Sequence, residues 1–576
     1  MANLSQQKRE KLIAFLETLK RDHSDDASLM AIGEIERELK AKKYGLVWEE
    51  HEEAVDVQMQ THIPVFTEDT SREIAENPDS KDYNFLLEGD NLHSLKLLEK
   101  THRGKIDVIY IDPPYNTGNK DFTYDDCKIG DDDGFRHSKW LSFISERLKI
   151  AKTLLTEHGC IFISIDDNEQ ASLRLICDEI FGSNNFLLQM PRVTKRSGKS
   201  TDVFAKNHDY LLVYSKSSNY SLNAFEHNDS GFKYQDEYFN ERGFYKLNQT
   251  LDYDSLQYSK SLDYPLTVDG VTYYAGTSYE KYLERKNGNH KRADWAWRWS
   301  LKKFQFGYEN GFIVVKKSRN GTRIYTKTYQ KATIGEKNGE YVVEYMKRTA
   351  PISSLILSQN EYSNDNATKV LTSILGSKAF DYSKPTSLLD FVCKIATKSD
   401  SLILDFFAGS GTTGQAVMEL NQQDGGQRKF ILCTNNENGI CENVTYQRLK
   451  TVITGKRADG STYSEGIPSN LMYYKTDFVD KDSEELSDEL LEHIREMIQL
   501  EHGVKVDGRQ YVMIMDDEEM DDFETHFSEY SDLKAVFVNQ DVILSAKQQK
   551  MLDSLTYHVI PDHYFDFELR EEGELW

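Results

Sequence analysis

Apolar positions along this 576-residue chain change their period several times. Near the start, Leu12, Leu16 and Leu19 recur at helical spacing with Ile13 beside them, and a second, more polar helix is predicted over 29–43. From about 84 to 216, short β-like runs (84–87, 106–111, 160–165 and 210–214) alternate with helical segments, the pattern of a mostly parallel sheet. Between 217 and 375 the character shifts to Tyr, Asn, Lys and Gly, with a hairpin predicted where 312–316 and 323–328 flank Asn320-Gly321. The α/β pattern then resumes with strands at 402–406 and 429–433. One sheet interrupted by a long insertion accounts for this. The last hundred residues hold strand-like runs at 511–515, 535–538, 542–544 and 558–560, spaced as in a small α/β domain. The expected division is an N-terminal helical segment (1–60), a first core part (61–216), an insertion (217–375), a second core part (376–475) and a C-terminal domain (476–576).

Charge sharpens that division. The chain carries 70 basic and 95 acidic side chains, a net of −25, which taken alone disfavours a polyanionic partner. Its distribution reverses the argument. Residues 477–576 contain 28 acidic and 8 basic groups (net −20), whereas 281–348 contain 17 basic and 6 acidic (net +11). Binding of a polyanion depends on the field within about 8–10 Å, so the basic insertion remains eligible. No apolar run approaches the roughly 18 residues of a membrane span, and Met1–Phe15 reads as neither signal nor anchor. The six cysteines are scattered without a CxxC or Cys/His cluster, so no disulfide framework and no metal site are expected. A cytoplasmic protein with no membrane partner is the expectation.

Two motifs carry chemistry. Leu402-Ile-Leu-Asp-Phe-Phe-Ala-Gly-Ser-Gly-Thr-Thr-Gly414 reads as a buried strand, a glycine turn and a helix start, where free N–H groups meet a ligand. Gly409, Gly411 and Gly414 spell GxGxxG, so this loop alone leaves S-adenosylmethionine, a dinucleotide or a plain turn open. A P-loop is excluded by the missing lysine. The second motif ends the run 106–111 with Asp112-Pro113-Pro114-Tyr115. Two prolines stop the strand at the carboxyl edge of the sheet, where open α/β folds place ligands. There a carboxylate and the Pro113 carbonyl are acceptors for an exocyclic amine, and Tyr115 offers a face for a planar base.

Together the motifs resemble the DNA amino-methyltransferases, which methylate adenine N6 or cytosine N4 from S-adenosylmethionine. The order, Asp-Pro-Pro-Tyr first and Phe-Ala-Gly-Ser-Gly-Thr much later, is similar to their permuted β group, with the insertion as target recognition domain. Glu88-Gly-Asp-Asn-Leu92, His208-Asp-Tyr-Leu-Leu-Val-Tyr-Ser-Lys216, Phe380-Asp-Tyr-Ser-Lys-Pro-Thr386 and Gly45-Leu-Val-Trp-Glu-Glu-His51 look most like the Mod subunits of type III restriction–modification systems. The resemblance covers about 40–455. It implies a Rossmann-like methyltransferase core, a catalytic group Asp112, Pro113, Pro114 and Tyr115, and a cofactor group of Asp90, Asn91, Asp405, Phe406, Ala408, Gly409, Ser410, Gly411 and Thr412. Lys384 is expected near the methionine carboxylate. The acidic residue usual after the second cofactor strand is replaced by Thr434, with Glu437 three residues on, and either is a candidate for the ribose.

The resemblance further implies adenine N6 as the target, flipped out of double-stranded DNA, with Asp112 favouring adenine over cytosine. For DNA contact, the candidates are Arg298, Lys302, Lys303, Lys316, Lys317 and Arg319 in the insertion, and Arg192, Lys195, Arg196 and Lys199 just before it. Trp295, Trp297 and Trp299 are read as a small core. A homodimer and a separate helicase–nuclease restriction subunit are the expected protein partners, with the C-terminal domain assisting association. The competing readings are a solitary methyltransferase, a dinucleotide-dependent oxidoreductase and a DNA-binding module with a degenerate pocket.

Overall fold

The computed structural model of the protein describes residues 12–20, 26–40, 48, 51–124, 127–130, 134–196, 203–226, 231–318, 321–346, 349–380, 382–506 and 508–573. Lys199, Arg319 and Asn320 lie outside the described residues, as does most of 45–51. Two compact units emerge: residues 1–223 with 354–576, and residues 224–353.

The first unit is built on a ten-stranded sheet. Its main strands are β1 (His62–Glu68), β2 (Asn84–Glu88), β3 (Ile106–Ile111), β4 (Leu155–Ile165), β5 (Phe186–Val193), β6 (His208–Ser215), β7 (Leu402–Asp405), β8 (Lys429–Thr434) and β9 (Asn470–Asp480). They lie in the order β1-β9-β2-β8-β7-β3-β4-β6-β5, and Ile74–Ala75 adds a short pairing to β9. The run from β9 to β4 is parallel throughout. Such strands are covered on both faces, which is why their sequences are near-continuous apolar runs rather than alternations. Val108, Ile109, Ile111, Leu404 and Leu432 are all fully buried.

Covering helices include α1 (Asn91–His102), α2 (Arg136–Leu154), α3 (Thr386–Ala396), α4 (Thr412–Asp424) and α5 (Tyr446–Thr454). After β7 the chain passes through α4 to β8 on one side; after β3 it passes through α2 to β4 on the other. The connections therefore diverge between β7 and β3, opening a crevice at their carboxyl ends.

Three expectations change. The run 210–214 is a strand, but β6 is antiparallel to β4 and to β5. β5 itself was not anticipated, because Phe186-Leu-Leu-Gln-Met-Pro191 lacks alternation and contains a proline; at the sheet edge that proline costs little. Residues 542–544 form no strand but lead into the Ser545-capped helix Ala546–Leu552. The other three runs are parallel strands, Tyr511–Ile514, Ala535–Asn539 and Tyr557–Ile560. Phe537, Ile560 and Phe565 share a core with the main sheet, and residue 476 falls inside β9.

The second unit, Ala224–Ser353, is mostly antiparallel. Ile313–Ser318 pairs with Gly321–Tyr329 in register Ser318↔Gly321, and Tyr245–Thr250 adds a third strand. Asp252–Ser255 pairs separately with Asp294–Trp297. The core collects Leu251, Leu266, Val268, Trp297, Phe304 and Ile324, with Trp295 and Trp299 packed against it.

Candidate active site

The Asp112–Tyr115 segment leaves β3 at the crevice, and the chain behind it is pinned. Trp140 Nε1 on α2 donates to the Pro114 carbonyl at 2.7 Å. Asn116 is fully buried at φ +54°, a conformation asparagine tolerates. Its amide donates to Glu169 Oε1 at 2.6 Å and to the Arg136 carbonyl at 3.3 Å. The Tyr115 ring packs on the main core, and its hydroxyl donates to Asp209 Oδ2 at 3.1 Å. Burial, with Asp112 and Asp209 nearby, pushes that phenol well above its ordinary pKa, so it stays a neutral donor.

Lys384 approaches from the chain preceding α3. Its ammonium donates to Asp112 Oδ2 and lies 5.0 Å from the centre of the Tyr115 ring. Asp112 Oδ1 is buried and has no hydrogen-bond partner among the described residues. One oxygen of this carboxylate is thus fixed and the other is an open acceptor, an arrangement suited to an incoming N–H.

The glycine loop follows β7. Asp405 is buried; it accepts from Phe407 N at 3.1 Å and from the Thr413 hydroxyl, folding the turn back on the start of α4. Burial raises the Asp405 pKa to about 7. Gly409 and Gly411 adopt φ +49° and +74°, which other residues adopt only under strain. A Cβ on Gly409 would meet nothing nearer than 3.9 Å, so the space above it is open. Gly414 serves packing instead. A Cβ there would lie 2.7 Å from Leu449, because α4 sits tightly on α5 and the sheet.

Sequence reading missed Arg448. It is 1% exposed and has no carboxylate partner among the described residues. Instead it donates to Gln415 Oε1 (2.8 Å), Thr412 Oγ1 (2.7 Å), and Ser410 Oγ (3.1 Å) and carbonyl (3.2 Å). Burial lowers its pKa to about 10. Nothing in its local sequence, Tyr446-Gln-Arg-Leu-Lys450, distinguishes it from a surface arginine.

Asp90 caps α1, accepting from Leu92 N at 2.7 Å, and Asn91 donates to the Phe406 carbonyl at 2.8 Å. Arg147, fully buried, joins them to Glu53: it donates to Asn91 Oδ1 at 2.5 Å, Asp90 Oδ1 at 3.2 Å and Glu53 Oε1 at 2.6 Å. Ala408 N donates to the Cys433 carbonyl at 3.0 Å. Thr434 is buried at the end of β8 and Glu437 is exposed in the following turn. Opposite Thr434 in register stands Glu88, whose carboxylate accepts from Tyr473 and from Asn436 Nδ2 at 3.1 Å.

Of the cations expected to meet DNA, Arg192 is corrected. It is 1% exposed and spent inside the protein, on Asp209, the Tyr362 carbonyl (2.8 Å) and Asn364 Oδ1 (2.9 Å). A buried guanidinium paired to a buried carboxylate has nothing left for a phosphate. Lys195 and Arg196 are exposed. In the second unit Arg298 is exposed over Tyr253, Lys302 pairs with Glu340, and Lys303 lies over Trp299. Lys316 and Lys317 are exposed on the hairpin.

The DNA methylase family model matches residues 106–445, a span that holds both the Asp-Pro-Pro-Tyr loop and the glycine loop. The chain belongs to that family. It is 35% identical over 405 residues to the type III restriction–modification enzyme EcoPI Mod subunit of Escherichia phage P1, covering 64% of this chain and 59% of that protein. Identity is 34% to the StyLTI Mod subunit of Salmonella typhimurium (63% and 53% covered) and 33% to the type II methyltransferase M.KpnI of Klebsiella pneumoniae (60% and 79%). The chain thus spans a little over half the length of the two Mod subunits. Among solved structures, PvuII DNA methyltransferase (cytosine-N4-specific) matches at 11% identity and a TM-score of 0.29, covering 62% of this chain and 83% of that one.

The residues fit S-adenosylmethionine. The open space over Gly409, the hydroxyl-lined turn held by Arg448 and the open Asp112 Oδ1 lie at neighbouring strand ends. No helix among the described residues is long and apolar enough to cross a membrane.

Proposed function

We propose that the protein is a site-specific DNA methyltransferase that moves a methyl group from S-adenosylmethionine to adenine N6, and that it serves as the modification and recognition subunit of a type III restriction–modification system in the cytoplasm. The observation that carries this reading is Asp112: one carboxylate oxygen held by Lys384, the other buried and open beside the Tyr115 ring.

Asp90, Asn91, Asp405, Phe406 and the 408–412 turn would hold the cofactor, with Thr434 or Glu437 toward its ribose. When bound, it supplies an electrophilic methyl group on sulfur. The protein's work lies with the nucleophile. An exocyclic amine is weakly nucleophilic because its lone pair is delocalised into the ring, and inside a duplex it is also stacked and paired. Flipping costs a few kcal/mol, offset in part by stacking on Tyr115, worth about 1–3 kcal/mol. Asp112 Oδ1 and the Pro113 carbonyl accept the two amine hydrogens, favouring a more tetrahedral nitrogen. Lys384 fixes the other Asp112 oxygen, so the acceptor is aimed before the base arrives, and positioning supplies most of the rate.

Aspartate at the first position of the tetrapeptide supports adenine over cytosine. Expression in a methylation-free host followed by single-molecule sequencing of its DNA tests all of this. N6-methyladenine within one motif is expected; N4-methylcytosine would move the target to cytosine, and unmodified DNA would remove the activity. A homodimer with a separate helicase–nuclease subunit completes the proposal, tested by light scattering and co-purification. A methyltransferase working outside a type III system, solitary and nuclease-free, is the second reading; the likeness to a type II methyltransferase, M.KpnI, favours only its first part.

A further inference from the structure

Within Ala224–Ser353 lies a cavity of about 280 Å³, lined by Asp252, Thr272, Tyr273, Thr277, Trp297 and Arg323 among others. Leu251 N donates to the Ile324 carbonyl at 2.8 Å, bringing two strands together, and Asp252 stands opposite Trp297 in register. Asp252 is 2% exposed. Its Oδ2 accepts from Gly276 N at 3.2 Å, while Oδ1 is buried with no hydrogen-bond partner among the described residues. Arg323 Nε is buried without one as well, and the Arg323 guanidinium carbon sits 5.4 Å from the centre of the Trp295 indole.

The backbone around this cavity is under constraint. Thr277 holds φ +62°, a strained value for a β-branched residue. Beside it, Gly276 at φ +74° leaves no room for a side chain, since a Cβ would fall 2.6 Å from Trp295. Asp252 and Arg323 line the cavity together with the aromatic wall of Trp297, Tyr273 and Tyr274, and an acceptor and a donor left unpartnered there mark a place where a ligand completes the hydrogen bonding.

We propose that this cavity receives a single nucleobase of the DNA target. Asp252 Oδ1 accepts an amino or ring N–H, and Arg323 Nε donates to the ring nitrogen or carbonyl oxygen beside it. The aromatic wall suits a planar heterocycle, and the volume admits one such ring. The net +11 of 281–348, with Arg298, Lys316 and Lys317 exposed, suits the phosphates that accompany a base in DNA. The assignment rests on the function proposed above only in naming DNA as the partner.

The test is a binding selection from a randomised duplex library with the full chain, its Asp252→Asn variant and its Arg323→Met variant, each checked by its melting curve. Wild-type protein is expected to enrich one motif. Asp252→Asn should enrich the same motif with preference at one position reduced about tenfold or more, the other positions unchanged. Should Asp252→Asn fail to fold, Arg323→Met decides by the same criterion. An unchanged motif in the folded variants, a uniform loss at every position, or no wild-type motif would overturn the proposal. Because the readout is binding, a wild-type protein that selects a motif but modifies no DNA would sink the methyltransferase reading alone.

Discussion

Tyr115 and Asp209, ninety-four positions apart, are joined by a 3.1 Å hydrogen bond from phenol to carboxylate, and the carboxylate is gripped by Arg192. The stacking face proposed for the flipped base is therefore set by a buried ion pair on the neighbouring strands. Tyr115→Phe keeps the face and loses one charge-assisted hydrogen bond, for about 2 kcal/mol of stability. Asp209→Ala strands a buried guanidinium and should cost about 3–5 kcal/mol. Urea denaturation of both variants checks the order; equal costs would detach Arg192 from this role.

Asp112→Ala removes the open acceptor and the Lys384 partner together. Methyl transfer should fall to background while DNA binding changes little, and the melting temperature should drop, because the buried Lys384 ammonium loses its carboxylate partner. A single-turnover methylation assay at saturating cofactor decides, and a near-wild-type rate would move the chemistry elsewhere.

Asp405 supplies a pH signature. Its pKa is raised by burial from 3.8 to about 7. A raised acid favours the protonated fold, so this contribution is complete below about pH 4 and is lost as the pH rises through 7. Asp405→Asn mimics the protonated form. Its stability relative to wild type should climb across that window, by about 4 kcal/mol at most at roughly 1.4 kcal/mol per unit. Paired denaturation curves from pH 4 to 8 give the difference, and a flat one would refute the assignment.

Replacing Lys316 and Lys317 by Ala should weaken DNA binding and lower the log–log salt slope by about 0.9 for each phosphate no longer neutralised. Anisotropy titrations across salt concentrations measure it, an unchanged slope placing both lysines off the DNA.

Much of the site was legible because its residues are consecutive. Asp112–Tyr115 and the 405–414 turn each declare strand, break and ligand-facing atoms within a dozen positions, and parallel strands buried on both faces leave long apolar runs. The supports were not legible. Arg448, Arg147 and Asp209 act through partners 17 to 94 positions away, and a buried arginine carries the same letter as an exposed one. Arg192 shows the cost: among Lys195, Arg196 and Lys199 it reads as one more surface cation, yet its position on β5 turns it inward. Edge strand β5 escaped for a related reason, since only its pairing with β6, not its own composition, makes it a strand.

The placement of β7 beside β3 has a further consequence for how the molecule is made. The Asp112 loop leaves the ribosome roughly 290 residues ahead of its partner turn at Asp405, about 15–60 s at ordinary elongation rates. Until then β3 lacks one neighbour, and β2 lacks both β8 and β9. The nascent chain carries bare strand edges through the whole synthesis of the inserted unit, the condition under which edges pair with the wrong chain. The timetable of translation, before any chemistry, sets when this crevice first exists.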